Sequence, residues 1–507
     1  MPLPAMTWRE YHEFTKHTVQ ALRRTQHFLD WENMPDPFRH YEGVPVLDLP
    51  ADPPSPEIPV LELLRGARGS TPAADGPTFL SQLLFYSAAI SASKRITSTG
   101  YRYALRVNPS SGNLHPTEFH FLTRGLKQWP DGLYHYRPSS HMAEQRAIGA
   151  VEPMPTAGGS PPRLVFVLTA IAWREAWKYR DRAYRYCLHD MGHAWQSLAL
   201  AARAVGCDSL AVGHFPDDDV ARLCQLHEDE WPMLMVEVSG RSIPVREPDA
   251  REPAWQGGHA NQLSKESTVY PLIEAIHGAT KLSQRAGRRI SPAEPAIAGS
   301  GEIKLPPPAS SRRAFGRVVR MRRSALDFLG GMQSISLAQL SAILGATTGP
   351  FFADFGLARF IQLYLYAHRV DGLPSGVYRL WTGRAELELI KSGDQRVAAA
   401  GLSLGQDLAG NACVALSMVA DLERAICAHG DRGYRYVYFE AGAIGQRLYL
   451  AAEALGLGAT GIGAFFDDEV HHYLNLAPKQ GEVVYHFAIG YPLPDPRIVA
   501  SDTRIVP

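Results

Sequence analysis

Apolar and polar positions follow the same order in the two halves of this chain. Each half opens with apolar residues at helical spacing, at 80–89 and at 337–344, and continues with a strand pattern, at 118–123 and at 361–367. A Gly-x-Tyr turn, an apolar strand, a long helix and a closing strand come next. We expect the turns at 132–134 and 376–378, the apolar strands at 164–170 and 413–420, and the closing strands at 233–238 and 483–489. Because helices and strands mix without a strict βαβ alternation, the pattern predicts an α+β fold.

A shift of 250 positions lays the second half over the first without a gap from Tyr184 to Gly240. Under it Tyr184-Arg185-Tyr186 falls on Tyr434-Arg435-Tyr436, and Gly206 falls on Gly456, each glycine closing a long helix. Self-similarity over such a length indicates a duplicated domain. We therefore predict two tandem copies packed as an intramolecular pseudo-dimer, through the interface that a two-fold homodimer would use. Whether this pseudo-dimer pairs further as a homodimer stays open.

Changes in composition divide the chain into four parts. Residues 1–75 form a lead segment, 76–245 the first copy, 246–313 a linker and 314–507 the second copy. The linker is rich in Pro, Gly, Ser and Ala, which predicts little packed core, although residues 270–282 have helical spacing.

The bulk composition excludes several classes of function. The 51 basic and 51 acidic residues balance, so nothing in the charge favours nucleic acid or an anionic membrane. The five cysteines include no CxxC pair and no disulfide framework. No apolar run suits a signal peptide or a membrane span of about 20 residues. We expect a soluble, cytoplasmic protein without a metal.

Two polar motifs distinguish the copies. Pro109-Ser110-Ser111-Gly112-Asn113 combines a fixed backbone, a flexible glycine and short polar side chains, where the second copy has Ala353-Asp354-Phe355-Gly356-Leu357. By itself this motif is typical of a simple turn. Arg320-Met321-Arg322-Arg323-Ser324 precedes the second copy and has no matching cluster before Pro77. Clustered arginines with a serine suit a phosphate, although a solvated basic run is the commoner meaning of such a cluster.

A third difference lies before the long helices. The first copy has Trp177-Lys178-Tyr179 where the second has Cys427-Ala428-His429. With the two motifs above, these residues resemble the nitroreductase-like FMN oxidoreductases, in which two protomers interlock around the flavin. The resemblance implies two tandem nitroreductase-like domains and one composite FMN site. It assigns Arg322, Arg323, Ser324, Gly461, Ile462 and Gly463 of the second copy to this site, with Pro109, Ser110, Ser111 and Asn113 of the first. The reciprocal site lacks both motifs, so we expect one FMN per chain.

The lead segment, through Tyr11-His12-Glu13-Phe14, is similar to that of the SagB-type dehydrogenases. Lys178-Tyr179, ahead of the long helix of the first copy, is similar to the same group. This resemblance implies oxidation of azoline rings in a modified peptide, by hydride transfer to FMN N5, with Lys178 or Tyr179 removing the second proton. The chain departs from the family at Leu326, where a basic residue is common, and Arg497 is the candidate for a further phosphate contact. An NAD(P)H-dependent nitro- or quinone reductase with a small-molecule substrate and a non-catalytic flavin-binding scaffold are the alternatives.

Other residues have less specific patterns. The fingerprint GxGxxG at 456–461 follows a helix and leads to a strand, the reverse of a dinucleotide-binding loop. His189 and His193 have zinc-like spacing but no evident third ligand, so we expect a buried pair. The Asp217-Asp218 and Asp467-Asp468 pairs are expected to place charge at helix N-termini.

Overall fold

The computed structural model describes residues 6–24, 28–96, 100–149, 151, 161–249, 251–284, 299–356, 359–477 and 480–500. Its two copies contain antiparallel sheets with the same strand order. In the first sheet the order is Ala254–Trp255, Met142–Ile148, Gly132–Arg137, Thr117–Thr123, Leu164–Ile171, Glu230–Ser239 and Asp208–Val212, with Val46–Asp48 beside Met142–Ile148. In the second it is Ile303–Lys304, Glu386–Ser392, Gly376–Trp381, Ile361–Ala367, Val414–Ala420, Glu482–Gly490 and Gly458–Ile462. The predicted α+β duplication is therefore confirmed.

The strands at the centre of each sheet explain the apolar runs of the sequence. Leu164–Ile171 and Val414–Ala420 are buried at every position, because each is paired on both edges and covered on both faces. The predicted Gly-x-Tyr turns are wrong, since both lie in strands, Gly132–Arg137 and Gly376–Trp381. Gly132 is required there because a side chain would strike the Ala147 carbonyl of the neighbouring strand.

The helices lie between and beside the sheets. They are Trp8–Phe14, Val19–Arg24, Val60–Leu64, Gly76–Phe85, Ala172–Tyr179, Ala183–Ala204, Asp217–Cys224, Pro271–Thr280, Phe315–Met321, Leu337–Thr347, Arg396–Leu402, Leu408–Asn411, Leu422–His429, Gly433–Ala454 and Asp467–Tyr473. The helix predicted at 80–89 lies instead at Gly76–Phe85. It starts earlier because the Asp75 side chain accepts the Thr78 N–H and Pro77 occupies the first turn. None of the helices in the described part of the chain is both long and apolar enough to cross a membrane.

The first long helix (Ala183–Ala204) and the second long helix (Gly433–Ala454) pack against each other and form the centre of the pseudo-dimer. Nearly all of their residues are buried. Gly206 and Gly456 follow them with positive φ, as predicted for residues that end a helix.

Two buried aspartates begin helices, as predicted, and they also join the copies. Asp467 accepts hydrogen bonds from Arg182 (3.0 Å) and Arg185 (2.8 Å) of the other copy. Asp217 accepts hydrogen bonds from Arg432 (2.6 Å) and Arg435 (2.8 Å) in the same way. Each aspartate does begin a helix, but its main contacts are these ion pairs across the pseudo-dimer interface.

Two helices outside the predicted copies make equivalent contacts. Trp8–Phe14 of the lead segment precedes Thr15, whose hydroxyl accepts the Nε–H of Arg185 at 2.9 Å. Pro271–Thr280 of the linker ends at Thr280, whose hydroxyl accepts the Nε–H of Arg435 at 2.8 Å. The duplication therefore includes a helix in each of these segments, and the linker contains packed residues that its composition did not predict.

The short strand Ile498–Ala500, which follows the second sheet, pairs with a strand of the first copy. Ile498–Ala500 pairs with Ile90–Arg95, which pairs with Arg102–Arg106. The remaining pairs are Tyr41–Glu42 with His259–Ala260 and Ile335–Ser336 with Val370–Asp371. Residues that follow the second sheet thus lie on the first copy, beside the cavity between the copies.

Candidate functional site

A cavity of about 380 Å³ lies between the two copies. It is lined by all the cofactor residues that the sequence predicts: Pro109, Ser110, Ser111 and Asn113 from the first copy, and Arg322, Arg323, Ser324, Gly461, Ile462 and Gly463 from the second. The first-copy segment lies more than 200 positions from both second-copy segments, and the packing of the copies brings them together.

The serine loop, residues 109–113, is held by a carboxylate that the sequence patterns did not predict. Asp190, on the first long helix, accepts hydrogen bonds from the Ser110 hydroxyl (2.6 Å), the Ser111 hydroxyl (2.9 Å) and the Ser111 backbone N–H (3.0 Å). Burial raises the pKa of Asp190 to about 7, against the opposing effect of these donors. Gly112 follows with φ of 59°, a conformation that favours glycine.

Lys178 and Tyr179 converge on this loop. A Cβ atom at Gly112 would lie 2.8 Å from the Tyr179 hydroxyl and 3.2 Å from Lys178 Nζ. Tyr179 lines the cavity, and its ring lies 4.3 Å from that of Tyr186. Burial raises the pKa of Tyr179 well above its usual range, so its phenol stays protonated and suits a hydrogen-bond donor better than a base.

The arginine element, residues 320–324 of the second copy, makes hydrogen bonds to the first copy. Arg322 donates to the backbone carbonyls of Arg106 and Val107, each at 3.3 Å, and Arg323 donates to that of Ser91 at 2.9 Å. Arg322 Nη1 is buried and has no hydrogen-bond partner among the described residues. Burial lowers the pKa of both guanidinium groups, that of Arg323 to about 10, so both remain cationic near neutral pH.

Tyr449 organises the second copy's part of the cavity. Its hydroxyl lies 2.8 Å from the Ser324 hydroxyl and accepts the Gly461 N–H at 2.9 Å. Tyr186 of the first copy donates to the Gly463 carbonyl at 3.0 Å. The sequence holds a signal for Tyr449, since the first copy has Ala199 at the equivalent position.

The basic residues near the end of the chain differ from the expectation. Arg497 is half-exposed, where it pairs with Asp495 at 2.8 Å, and it lies outside the residues that line the cavity. Lys94 lines the cavity instead and is 2.8 Å from Asp495. Lys94 and Asp495 come from segments that give no local signal of a site.

The histidine pair is buried, as predicted from the lack of a third metal ligand. His193 lies 3.1 Å from the Tyr485 hydroxyl and 3.3 Å from Gln446 Oε1. His189 stacks on the Tyr485 ring at 4.1 Å. Burial lowers the pKa of both imidazoles, which are therefore neutral. Within the described ranges, no group of three or more possible ligands is arranged to hold a metal.

At the reciprocal position of the pseudo-dimer, a smaller cavity of about 190 Å³ remains, and Asp354 and Phe355 of the chain itself pack beside it. Gly213 is the counterpart of Gly463, and its backbone N–H donates to Asp354 at 2.7 Å. Phe355 stacks on Tyr436, the counterpart of Tyr186, with ring centroids 4.1 Å apart and an interplanar angle of 8°. The residues that replace Pro-Ser-Ser thus contact Gly213 and Tyr436, whose counterparts Gly463 and Tyr186 line the first cavity.

Comparisons with known proteins agree with this architecture. The profile of the nitroreductase family matches residues 87–241 and 319–491, once in each copy. The chain is 31% identical over 166 residues to the nitroreductase-type protein MJ1384 of Methanocaldococcus jannaschii, covering 31% of this chain and 83% of that protein. It is 29% identical over 146 residues to the microcin B17-processing protein McbC of Escherichia coli, covering 27% of this chain and 54% of McbC.

One solved structure resembles both copies together. A nitroreductase-type protein from Anabaena variabilis superposes with a TM-score of 0.73 at 25% identity, covering 96% of this chain and 99% of that one. That protein therefore has a similar length and the same arrangement of two copies in one chain.

Proposed function

Because the chain belongs to the nitroreductase family, we propose that it is an FMN-dependent oxidoreductase of the SagB type with one flavin per chain. The substrate we propose is an azoline ring in a modified peptide. The observation that carries the proposal is the cavity of about 380 Å³ between the copies, which the serine loop, the arginine element and Tyr179 line, with Lys178 Nζ 3.2 Å from the Cβ position of Gly112. The similarity to McbC, a microcin B17-processing protein, supports a peptide substrate.

The residues of the cavity fit FMN. Buried Arg322 Nη1 has no acceptor in the described part of the chain, and a ligand oxygen would remove the cost of leaving that N–H unpaired. We assign the phosphate to Arg323 and Ser324, whose cation and hydroxyl suit it. The backbone of Gly461–Gly463 and the serine loop would hold the flavin ring. When bound, FMN would supply the redox chemistry by accepting the hydride that leaves the substrate.

Lys178 is the base we propose for the second proton. Oxidation of an azoline to an azole breaks two C–H bonds of the ring and forms one double bond. The electron pair of one C–H leaves as the hydride, and the other hydrogen leaves as a proton, which the lone pair of Lys178 Nζ takes up. The neighbouring Tyr179 hydroxyl, kept protonated by burial, would donate a hydrogen bond to a ring heteroatom and orient it. Oxygen is the proposed final electron acceptor.

A reductase that takes electrons from NAD(P)H is the second candidate. The likeness to the nitroreductase-type proteins of two other organisms favours it. In such an enzyme the flavin would be reduced by a nicotinamide and oxidised by a nitroarene or quinone, and Lys178 would have no role in the chemistry.

The test compares flavin-loaded wild type with Lys178→Ala and Lys178→Arg on an azoline-containing peptide, with the loss of two hydrogens per ring measured by mass spectrometry. We expect both variants to lose turnover, since arginine keeps the charge but does not release a proton near neutral pH. FMN binding, measured by flavin fluorescence, should be unchanged in both. Lys127→Ala, at an exposed lysine outside the cavity, is the matched control and should turn over like wild type.

Azoline turnover that survives both substitutions would refute the role of Lys178. Oxidation of NAD(P)H with a nitroarene, together with no activity on azoline peptides, would favour the reductase instead. A protein that binds FMN and catalyses neither reaction would be the flavin-binding scaffold.

A further inference from the structure

Glu175 is a buried acid beside the candidate site, and the proposed function gives it no role. It lies on the helix Ala172–Tyr179 and is 0% exposed. Neither carboxyl oxygen accepts a hydrogen bond from a donor within the described structure. A buried carboxylate without a cation or a donor is costly, so the neutral, protonated form is favoured.

The surroundings of Glu175 point to Asp190 as its partner. Asp190 and Cys187 face it from the first long helix, Ser110 from the serine loop, and Lys178 and Tyr179 from its own helix. Burial and the neighbouring Asp190 charge raise the pKa of Glu175 well above its usual range, while Lys178 opposes the rise. Asp190 already accepts three donors from the serine loop and is the better placed of the two carboxyls to carry a charge.

The second copy has lost this arrangement together with the site. Glu175 corresponds to Ala425, just as Lys178 corresponds to Ala428. Asp190 corresponds to Glu440, which accepts the backbone N–H groups of Phe360 and Ile361 and holds no serine loop. A carboxyl pair is therefore present only in the copy that keeps the serine loop and the lysine.

We propose that Glu175 is a positioning residue: its protonated carboxyl donates a hydrogen bond to Asp190, and the pair holds the serine loop against Lys178. This inference rests on the proposed function for the role of Lys178, but not for the shared proton. With one proton between them, Asp190 keeps its bonds to Ser110 and Ser111. Loss of that proton at alkaline pH places two carboxylates side by side in a buried site, and their repulsion loosens the loop.

The shared proton is tested first, on the protein without flavin. Difference infrared spectra of wild type against Glu175→Gln should contain the carbonyl stretching band of a protonated carboxylic acid that only wild type has. Absence of that band from wild type at neutral pH would overturn the inference. This result does not depend on whether FMN binds or which substrate is oxidised, so it separates this inference from the proposed function.

The positioning role is tested by FMN affinity and by the pH profile of azoline turnover. Glu175→Gln keeps a donor for Asp190 and should bind FMN like wild type, but its turnover should persist at alkaline pH, where wild type declines. Glu175→Ala should weaken FMN binding about tenfold at every pH, the effect of losing one hydrogen bond to a charged group. Glu440→Gln, at the counterpart of Asp190, is the control and should leave FMN affinity and the pH profile unchanged. An alkaline decline that is the same in wild type and Glu175→Gln would contradict the role.

Discussion

A Cβ atom at Gly192 would lie 2.9 Å from the Cα atom of Gly442, and one at Gly442 would lie 3.0 Å from the Cα atom of Gly192. The two long helices therefore touch backbone to backbone at the point where the pseudo-two-fold axis crosses them. This close approach fixes the distance between the copies, and with it the width of the cavity to which both contribute.

Gly192→Ala should separate the long helices and lower the free energy of unfolding by about 2 kcal/mol or more, as overpacking against backbone does. The measurement is the midpoint of denaturant unfolding. Gly345→Ala is the control, because Gly345 lies in the helix Leu337–Thr347 with nothing within 4 Å of its Cβ position. There alanine should stabilise the protein by roughly 0.5–1 kcal/mol. Equal effects of the two substitutions would show that the contact between the long helices is not tight.

Asp467→Asn should destabilise the protein by about 3–5 kcal/mol, because it leaves Arg182 and Arg185 buried without their counter-charge. The pKa of Asp467 lies well below its usual range, as the two arginines outweigh the effect of burial. Its contribution to stability is therefore present above the unfolded pKa of about 4 and is lost as the pH falls below it. Chemical unfolding at pH 7 and pH 3 measures both effects. Asp468→Asn, at a half-exposed neighbour, should cost less than about 1 kcal/mol, and a similar cost for both variants would refute the buried ion pair.

His135 should make the protein less stable at alkaline pH. It lies between Glu118 (3.2 Å) and Glu144 (2.9 Å) with no exposure to solvent, and although burial opposes the charge, these two bonds raise its pKa to about 9. The stabilisation is complete below the unfolded pKa of about 6.5 and is lost as the pH rises through 9. Unfolding free energies of wild type and His135→Gln at pH 6 and pH 10 should converge as the pH rises. A difference that is the same at both values would contradict the protonated histidine.

Arg323→Ala should lower FMN affinity about tenfold or more, through loss of a charge-assisted contact with the phosphate. Flavin fluorescence during titration with FMN measures it. Arg497→Ala, at the exposed arginine outside the cavity, is the matched control and should bind FMN like wild type. Loss of FMN affinity in Arg497→Ala but not in Arg323→Ala would show that Arg497, and not Arg323, contacts the phosphate.

Much of the fold follows from local patterns in the sequence. The long helices, the central strands and the closing glycines could be predicted because helical and strand periodicity is a property of neighbouring residues. The turn predicted at 132–134 was wrong because glycine is typical of turns but is also required in a strand where the neighbouring backbone leaves no room for a side chain, as the Ala147 carbonyl does at Gly132. The equivalence of the helices Trp8–Phe14 and Pro271–Thr280 could not be predicted, since it depends on which arginine Thr15 and Thr280 contact.

Residues of the site could be predicted only where they belong to a recognisable sequence motif. The serine loop and the arginine element are each a contiguous run of residues, and both line the cavity. Asp190 and Glu175 are single acids within helical patterns, and their importance comes from burial near the serine loop, which is distant from both in the sequence. Comparing the copies position by position, as with Glu175 against Ala425, gives the one signal that could have found them.

We propose one flavin site per chain, because Asp354 and Phe355 pack on the counterparts of Gly463 and Tyr186 and leave only a smaller cavity at the reciprocal position. The most direct test is the visible absorption spectrum of the purified protein saturated with FMN, with the ratio of flavin to chain measured after heat release. The account predicts the bands of oxidised flavin and one FMN per chain. Two FMN per chain would show that the reciprocal position is open, and no bound FMN would contradict the composite site itself.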